Sequence, residues 1–157
     1  MLTDRVYPIP NEVYTDIFKY IPRVCVDIVL CCADKVLLLK RVIEPGKGTW
    51  CLPGGGIFRG ELPIYTAIRK LSEEVGLHIS KEKFKKEAKM ICVENHFFTQ
   101  RQDICITYRL EVKKEFKPIL DYQHNDYGWY YVTNLCCSPI LDTIKRQIKA
   151  SGAIIND

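Results

Sequence analysis

The chain has no Cys-x-x-Cys pair, only 3 histidines, 2 tryptophans and 2 methionines, and no long uninterrupted apolar run. Its longest apolar stretch, Val24 to Ala33, is broken by Asp27 and falls well short of the ~20 residues a membrane-spanning helix needs, so no membrane partner is expected. With 9 glycines and 8 prolines in 157 residues it is neither collagen-like nor low-complexity, and 47% hydrophobic residues is too many for a disordered chain. Charge of one sign is also scarce. Lys and Arg number 23 against 19 Asp and Glu, and the net +4 favours a small anionic ligand without calling for nucleic acid. The 8 cysteines lie mostly inside apolar runs with no leader-like segment ahead of them. The neighbours Cys31-Cys32 and Cys136-Cys137 point apart on a strand, which argues against zinc chelation. Free thiols in a reducing compartment, the cytoplasm, are the expectation.

What is present reads as one domain over 1–157 with an N-terminal arm, residues 1–22. Between Pro10 and Pro22, Val13, Ile17 and Tyr20 stand at helical spacing, which predicts a short helix over Asn11 to Tyr20. Strands are predicted at Val24 to Leu30 and Val36 to Lys40, joined by a hairpin at Ala33-Asp34-Lys35. After a turn-rich segment ending in Gly54-Gly55-Gly56 comes the clearest helix, Glu61 to Val75. Pro63 suits its first turn, Gly76 its left-handed cap, and Ile64, Ala67, Ile68, Leu71 and Val75 its buried stripe. The basic stretch Lys81 to Lys89 reads as a solvated linker or helix face. Further strands are expected at Lys89 to Val93, Ile104 to Val112 and Trp129 to Val132, with a closing amphipathic helix at Pro139 to Lys149. Strands mixed with helices in this order imply a layered α/β fold.

The chemistry gathers around the glycine run. Gly54-Gly55-Gly56 lets a backbone carbonyl approach a ligand, and Glu73 and Glu74 on the following helix offer hard oxygens to Mg2+, whose shell a substrate diphosphate completes. The plainer alternative is a charged helix surface with Arg69–Glu73 and Lys70–Glu74 pairs at i,i+4.

Spacing decides between them. Gly55, five residues, Glu61, seven residues, Arg69, then Leu71, Glu73, Glu74, Gly76 and Leu77 resembles the signature box of the Nudix hydrolases, and Trp50-Cys51-Leu52-Pro53-Gly54-Gly55 resembles the approach to it. The resemblance spans Val24 to Leu135. It implies an α/β/α sandwich with a mixed β-sheet and a loop-helix-loop box, and Mg2+, or Mn2+, as cofactor. One element departs. The family's glutamate after the arginine is Lys70 here, and a charged lysine cannot accept a proton. Either turnover is lost, or a base from another segment activates the water.

Gln123-His124-Asn125-Asp126-Tyr127-Gly128-Trp129 is similar to a stretch of the GDP-mannose mannosyl hydrolases, a Nudix branch that also lacks the box glutamate. That resemblance implies His124 as general base, Asp27 as its orienting carboxylate and Gln123 as a metal ligand beside the Gly54 carbonyl and Glu74, with Glu73 retained from the general family. It implies Arg41 and Tyr108 as diphosphate ligands and Arg69 in a supporting role. His96 and Phe97 fall where family members touch substrate, with Phe98 as the alternative stacking ring, whereas His78 reads as exposed. Gly56 departs from the branch, which carries an arginine there. The resulting expectation is a Mg2+-dependent hydrolase of a nucleoside diphosphate linked to a sugar, with water attacking the sugar's anomeric carbon. Two rivals stand beside it: attack at phosphorus with an acid such as Glu94 as base, and a ligand-binding module without turnover. The N-terminal arm resembles one through which the branch pairs, so a homodimer is expected.

Overall fold

The computed structural model describes residues 9–137 and 140–152. Helix α1 (Asn11–Tyr20) has the predicted limits, starting after Pro10 and ending where Ile21 turns extended. Residues 1–8 of the expected arm lie outside the described residues. Strands β1 (Arg23–Cys32) and β2 (Lys35–Arg41) form the predicted hairpin, with Ala33 at φ 52° in its turn. β1 is buried on both faces because its apolar residues are nearly continuous: Val26, Ile28 and Leu30 point one way, Val29 and Cys31 the other.

From the hairpin the two strands diverge. They pair with each other only at Cys31↔Val36 and Cys32↔Lys35, after which β2 takes β3 (Trp50–Cys51) as its neighbour and β1 takes β4 (Gly54–Gly56). β5 (Lys89–Phe98) and β6 (Arg101–Glu111) form an antiparallel pair that joins β1 through a parallel β1–β6 ladder, and β7 (His124–Tyr131) borders the far side of β2. The result is a mixed seven-stranded sheet split near its middle. Residues from both lips of that split line a cleft of about 1520 Å³.

Each sheet face has its own helical cover. On one, Ala67, Leu71 and Val75 of α2 (Pro63–Val75) and Phe84 of α3 (Lys81–Glu87) pack on Ile28, Leu37, Leu39 and Leu110. On the other, Ile144 and Ile148 of α4 (Asp142–Ala150) pack with Leu135 on Val29, Val36 and Leu38. Each of the larger apolar side chains among them contributes roughly 1.5–3 kcal/mol when fully buried. This is an α/β/α sandwich, as the sequence predicts. Gly76 caps α2 at φ 69°, with the Leu77 N–H donating to the Leu71 carbonyl at 3.0 Å. No described helix is long and apolar enough to cross a membrane.

Several boundaries differ from the sequence reading. Of the two readings of the basic stretch 81–89, the helix is the one found, as α3, because Ser80 accepts from the Lys83 N–H at 3.2 Å and Phe84 is a buried anchor. β5 runs on through His96 to Phe98 and β7 starts at His124, since both extensions find a partner strand. α4 begins at Asp142, and Pro139, the expected start, lies outside the described residues.

Candidate active site

The cleft is floored by the turn that links β3 to β4. Gly54 stands opposite Asp27 in the β1–β4 ladder, so close that a Cβ on it would sit 2.4 Å from the Val26 carbonyl oxygen and 2.5 Å from Asp27 Oδ1. Only glycine fits there. Its N–H donates to Glu74 Oε2 at 2.9 Å, which ties the glycine run to α2 and aims a carboxylate at the cleft floor.

Glu74 is 2% exposed, and burial raises the pKa of its carboxyl against the opposing pull of Lys70 and the Gly54 N–H. The Lys70 ammonium lies 2.6 Å from Glu74 Oε1 and 3.1 Å from Glu73 Oε2. Burial pulls the lysine's pKa down, but the charges and hydrogen bonds of Glu74 and then Glu73 outweigh it, so its pKa is raised and Lys70 stays cationic. Its stem lies over Gly55, where a Cβ would meet Lys70 Cε at 2.9 Å.

Arg69 holds a separate knot. It grips Glu61 through Nε and Nη2 at 2.9 Å each, donates to the Gly56 carbonyl at 3.1 Å and to Glu73 Oε2 at 3.2 Å, and stacks 4.0 Å from the Phe58 ring centroid. Burial alone would raise the Glu61 carboxyl. The Arg69 fork, the Thr66 hydroxyl and the Phe58 N–H outweigh burial and hold the carboxyl below its ordinary range. Arg69 therefore positions the glycine loop on α2, with its guanidinium committed to protein partners.

His124 and Asp27 do not meet. His124 Nδ1 lies 2.7 Å from Asp121 Oδ1, and its Nε2 lies 3.6 Å from Cys51 Sγ. Asp27 instead accepts from Gln147 Nε2 at 2.7 Å and faces His96 Nε2 at 3.6 Å. The expected Asp27–His124 pair is thus replaced by two carboxylate–imidazole pairs, Asp121–His124 and Asp27–His96, because Asp27 lies at the β1–β6 lip and His124 at the start of β7. Asp121 also accepts from the backbone and side-chain N–H groups of Gln123, at 3.1 Å each, which sets Gln123 at the cleft wall. Burial pushes the Cys51 thiol up to about 12, so it stays protonated beside His124.

The other expected residues divide. Arg41 lines the cleft, its Nε donating to the Ile43 carbonyl at 3.1 Å, and His96 and Phe98 line it too. Phe97 is 76% exposed and points away, because side chains alternate along β5 and Phe98 is the inward member. Tyr108 packs edge-on against Phe84 with ring centroids 5.5 Å apart, under α3 rather than in the cleft. Glu94 is bound by Arg146 on the outer side of α4, at 3.1 Å. His78 meets Ser72 at the surface. Three residues with structural claims on the site escaped the sequence reading: Asp121, Thr143 and Gln147. Gln147 had a signal, a polar residue on the apolar stripe with Ile144 and Ile148.

The donor set suits a hard divalent cation. Carboxylate oxygens of Glu74 and Asp121 lie within 4.8 Å of each other and of a ring nitrogen of His124, so hard oxygen donors gather here while the imidazole stays paired with Asp121. Gln123 and the Gly54 backbone stand beside them.

The NUDIX domain family model matches residues 21–150. A glycan biosynthesis protein, Agl8 of Haloferax volcanii, is 35% identical over 74 residues, 47% of this chain and 47% of its own. An ADP-ribose pyrophosphatase of Methanocaldococcus jannaschii is 41% identical over 56 residues, 36% of this chain and 33% of its own. The matched stretches thus span half or less of these curated relatives. Among solved structures, a MutT NUDIX hydrolase from Burkholderia pseudomallei superposes with a TM-score of 0.71 at 22% identity, covering 83% of this chain and 98% of that one.

Proposed function

The chain belongs to the NUDIX domain family, and from that premise we propose that it hydrolyses a nucleoside diphosphate linked to a sugar, with Mg2+ or Mn2+ held by Glu74, Gln123 and the Gly54 carbonyl, and with Glu73 beside them. One observation carries the reading: the Lys70 ammonium bridges Glu73 and Glu74 where the family places an acid. A cation there removes the acid that the family carries at that position and favours proton transfer by an imidazole–carboxylate pair.

Asp121 fixes the His124 ring through Nδ1, and Nε2, which the Cys51 thiol covers at 3.6 Å behind the cleft wall, takes the proton of water once that contact opens, as the water oxygen forms a bond to the sugar's anomeric carbon. The bond from that carbon to the diphosphate oxygen breaks, and the nucleoside diphosphate leaves with the electron pair. Arg41 neutralises it from the cleft wall. The divalent cation supplies electrostatic stabilisation of the departing diphosphate. Similarity to a glycan biosynthesis protein supports a sugar substrate. The free state of the 6 cysteines whose side chains are described supports a reducing, cytoplasmic setting, and pairing of two copies through the arm, residues 1–22, completes the proposal.

A second reading, attack at phosphorus, is favoured by similarity to an ADP-ribose pyrophosphatase and by Glu73, which is 45% exposed at the cleft and can serve as an acid ligand or base. Glu94, tied to Arg146, is not available to it. Hydrolysis of nucleotide sugars, ADP-ribose and nucleoside triphosphates in oxygen-18 water separates the two. Label in the free sugar supports the first reading, and label in a phosphate supports the second. Tight nucleotide-sugar binding without any turnover leaves a ligand-binding module.

A further inference from the structure

Local spacing along this sequence argues against a zinc chelate, but the fold assembles ligands from three different strands. Asp27 of β1, His96 of β5 and Cys105 of β6 each bring one ligand atom within 4.8 Å of the others. Adjacent strands create this proximity: Asp27 lies two residues beyond Cys25, the ladder partner of Cys105, and His96 sits opposite Asp103, two residues before Cys105. All three donors face the α4 side of the sheet and line the far wall of the cleft from Glu74.

His96 gives the independent sign that something belongs there. Its side chain is 8% exposed, and its Nε2 is buried without a hydrogen-bond partner among the described residues, aimed at Asp27 Oδ2 from 3.6 Å. A buried imidazole nitrogen left unpaired costs about 1–3 kcal/mol, so an arrangement that holds it so implies a missing partner. The supports behind the donors are those of a built metal site. Thr143 Oγ1 lies 3.1 Å from His96 Nδ1 and sets the ring so that Nε2 faces inward, and Gln147 Nε2 fixes Asp27 Oδ2 at 2.7 Å while also reaching Thr107. Both supports come from α4.

We propose that Asp27, His96 and Cys105 form a binding site for a thiophilic divalent cation, with zinc the best match, separate from the Glu74 site. A carboxylate, an imidazole and a thiolate leave the fourth tetrahedral position open to the cleft, and thiolate with imidazole selects Zn2+ over the hard Mg2+. Among the described residues the nearby cations are engaged elsewhere: Arg23 and Arg101 both hold Asp103, at 2.8 and 3.0 Å. A thiol binds such a cation as the thiolate, so binding releases the Cys105 proton.

The test is titration of chelator-stripped full chain with Zn2+ and, as the spectroscopic stand-in, Co2+. One equivalent of Co2+ with intense tetrahedral visible bands and a thiolate-to-metal charge-transfer band supports the site. Both signals persist in Glu74→Gln and Cys92→Ser and vanish in Cys105→Ser, and Zn2+ affinity falls by about tenfold or more, ~1.4 kcal/mol, in Cys105→Ser and in His96→Gln. Far-ultraviolet circular dichroism establishes that each variant is folded, and His96→Gln carries the test if Cys105→Ser is not. A Co2+ spectrum lacking the charge-transfer band, or Zn2+ binding lost in Glu74→Gln and kept in Cys105→Ser, overturns the proposal. None of these readouts depends on hydrolysis.

Discussion

The Lys70 ammonium sits 2.6 Å from Glu74 Oε1, an ion pair in which the lysine is 8% and the glutamate 3% exposed. Desolvating both groups costs several kcal/mol, so the pair's geometry matters more than its existence, and removing one partner strands the other. Lys70→Met keeps the stem that packs over Gly55 but leaves Glu74 buried without its cation. Urea unfolding without divalent metal is expected to show a loss of about 3–5 kcal/mol. Millimolar Mg2+ restores a substantial part of that loss, because the metal then supplies the missing charge. Equal losses with and without Mg2+ would place Glu74 outside the metal site.

Gly54 gives a purely steric prediction. Its backbone is not in the left-handed region, yet a Cβ would overlap the Val26 carbonyl and Asp27, both fixed within the sheet. Gly54→Ala forces β4 away from β1 and drags the Glu74 hydrogen bond with it. The expected outcome is about 1–3 kcal/mol of destabilisation together with weakened Mn2+ binding. Gly60→Ala, with φ of +80° but open space around its Cβ, is the control. It costs backbone strain alone and leaves Mn2+ affinity unchanged, as read by electron paramagnetic resonance of free Mn2+.

Local signals carried the sequence reading furthest. α1 was exact to the residue and α2 to within two, because proline, glycine and an apolar stripe mark both within one stretch of chain. β3 and β4 were invisible. A tryptophan–cysteine pair and three glycines have no strand periodicity, and they are strands only because the diverging β1 and β2 leave edges to fill. α3 shows a single buried residue, Phe84, too few to display a helical period. In the site, the box residues were legible because their spacing within one loop and helix fixes their geometry. The partner of Asp27 was not, since sequence places neither His96 nor His124 near it. β5 and α4 together turn Asp27 toward His96.

The Glu61–Arg69 fork predicts an acid limit to stability. The Glu61 carboxyl is held below its unfolded value, so its contribution is complete above the unfolded pKa and is lost as pH falls through the folded one. Wild type is therefore expected to lose stability on acidification more steeply than Glu61→Gln, with the two unfolding curves converging at low pH. Urea midpoints between pH 7 and pH 3, about the carboxylate range, check this. Parallel curves would remove the fork from the list of groups that control acid unfolding.

The two imidazoles separate by kinetics. His124 is fixed by Asp121 at 2.7 Å near the Glu74 carboxylate, and His96 faces Asp27 at the opposite lip. If His124 moves the proton of water, His124→Gln lowers kcat by about 10²–10⁴ with little change in KM, the size of a lost general base. Asp121→Asn follows in the same direction with a smaller loss, because the ring stays in place while its protonated form is no longer stabilised. His96→Gln, at the lip of the cleft opposite His124, spares most of kcat. The reverse pattern, with kcat collapsing in His96→Gln alone, would assign proton transfer to the Asp27–His96 pair and leave His124 as a buried structural anchor for Asp121 and Gln123.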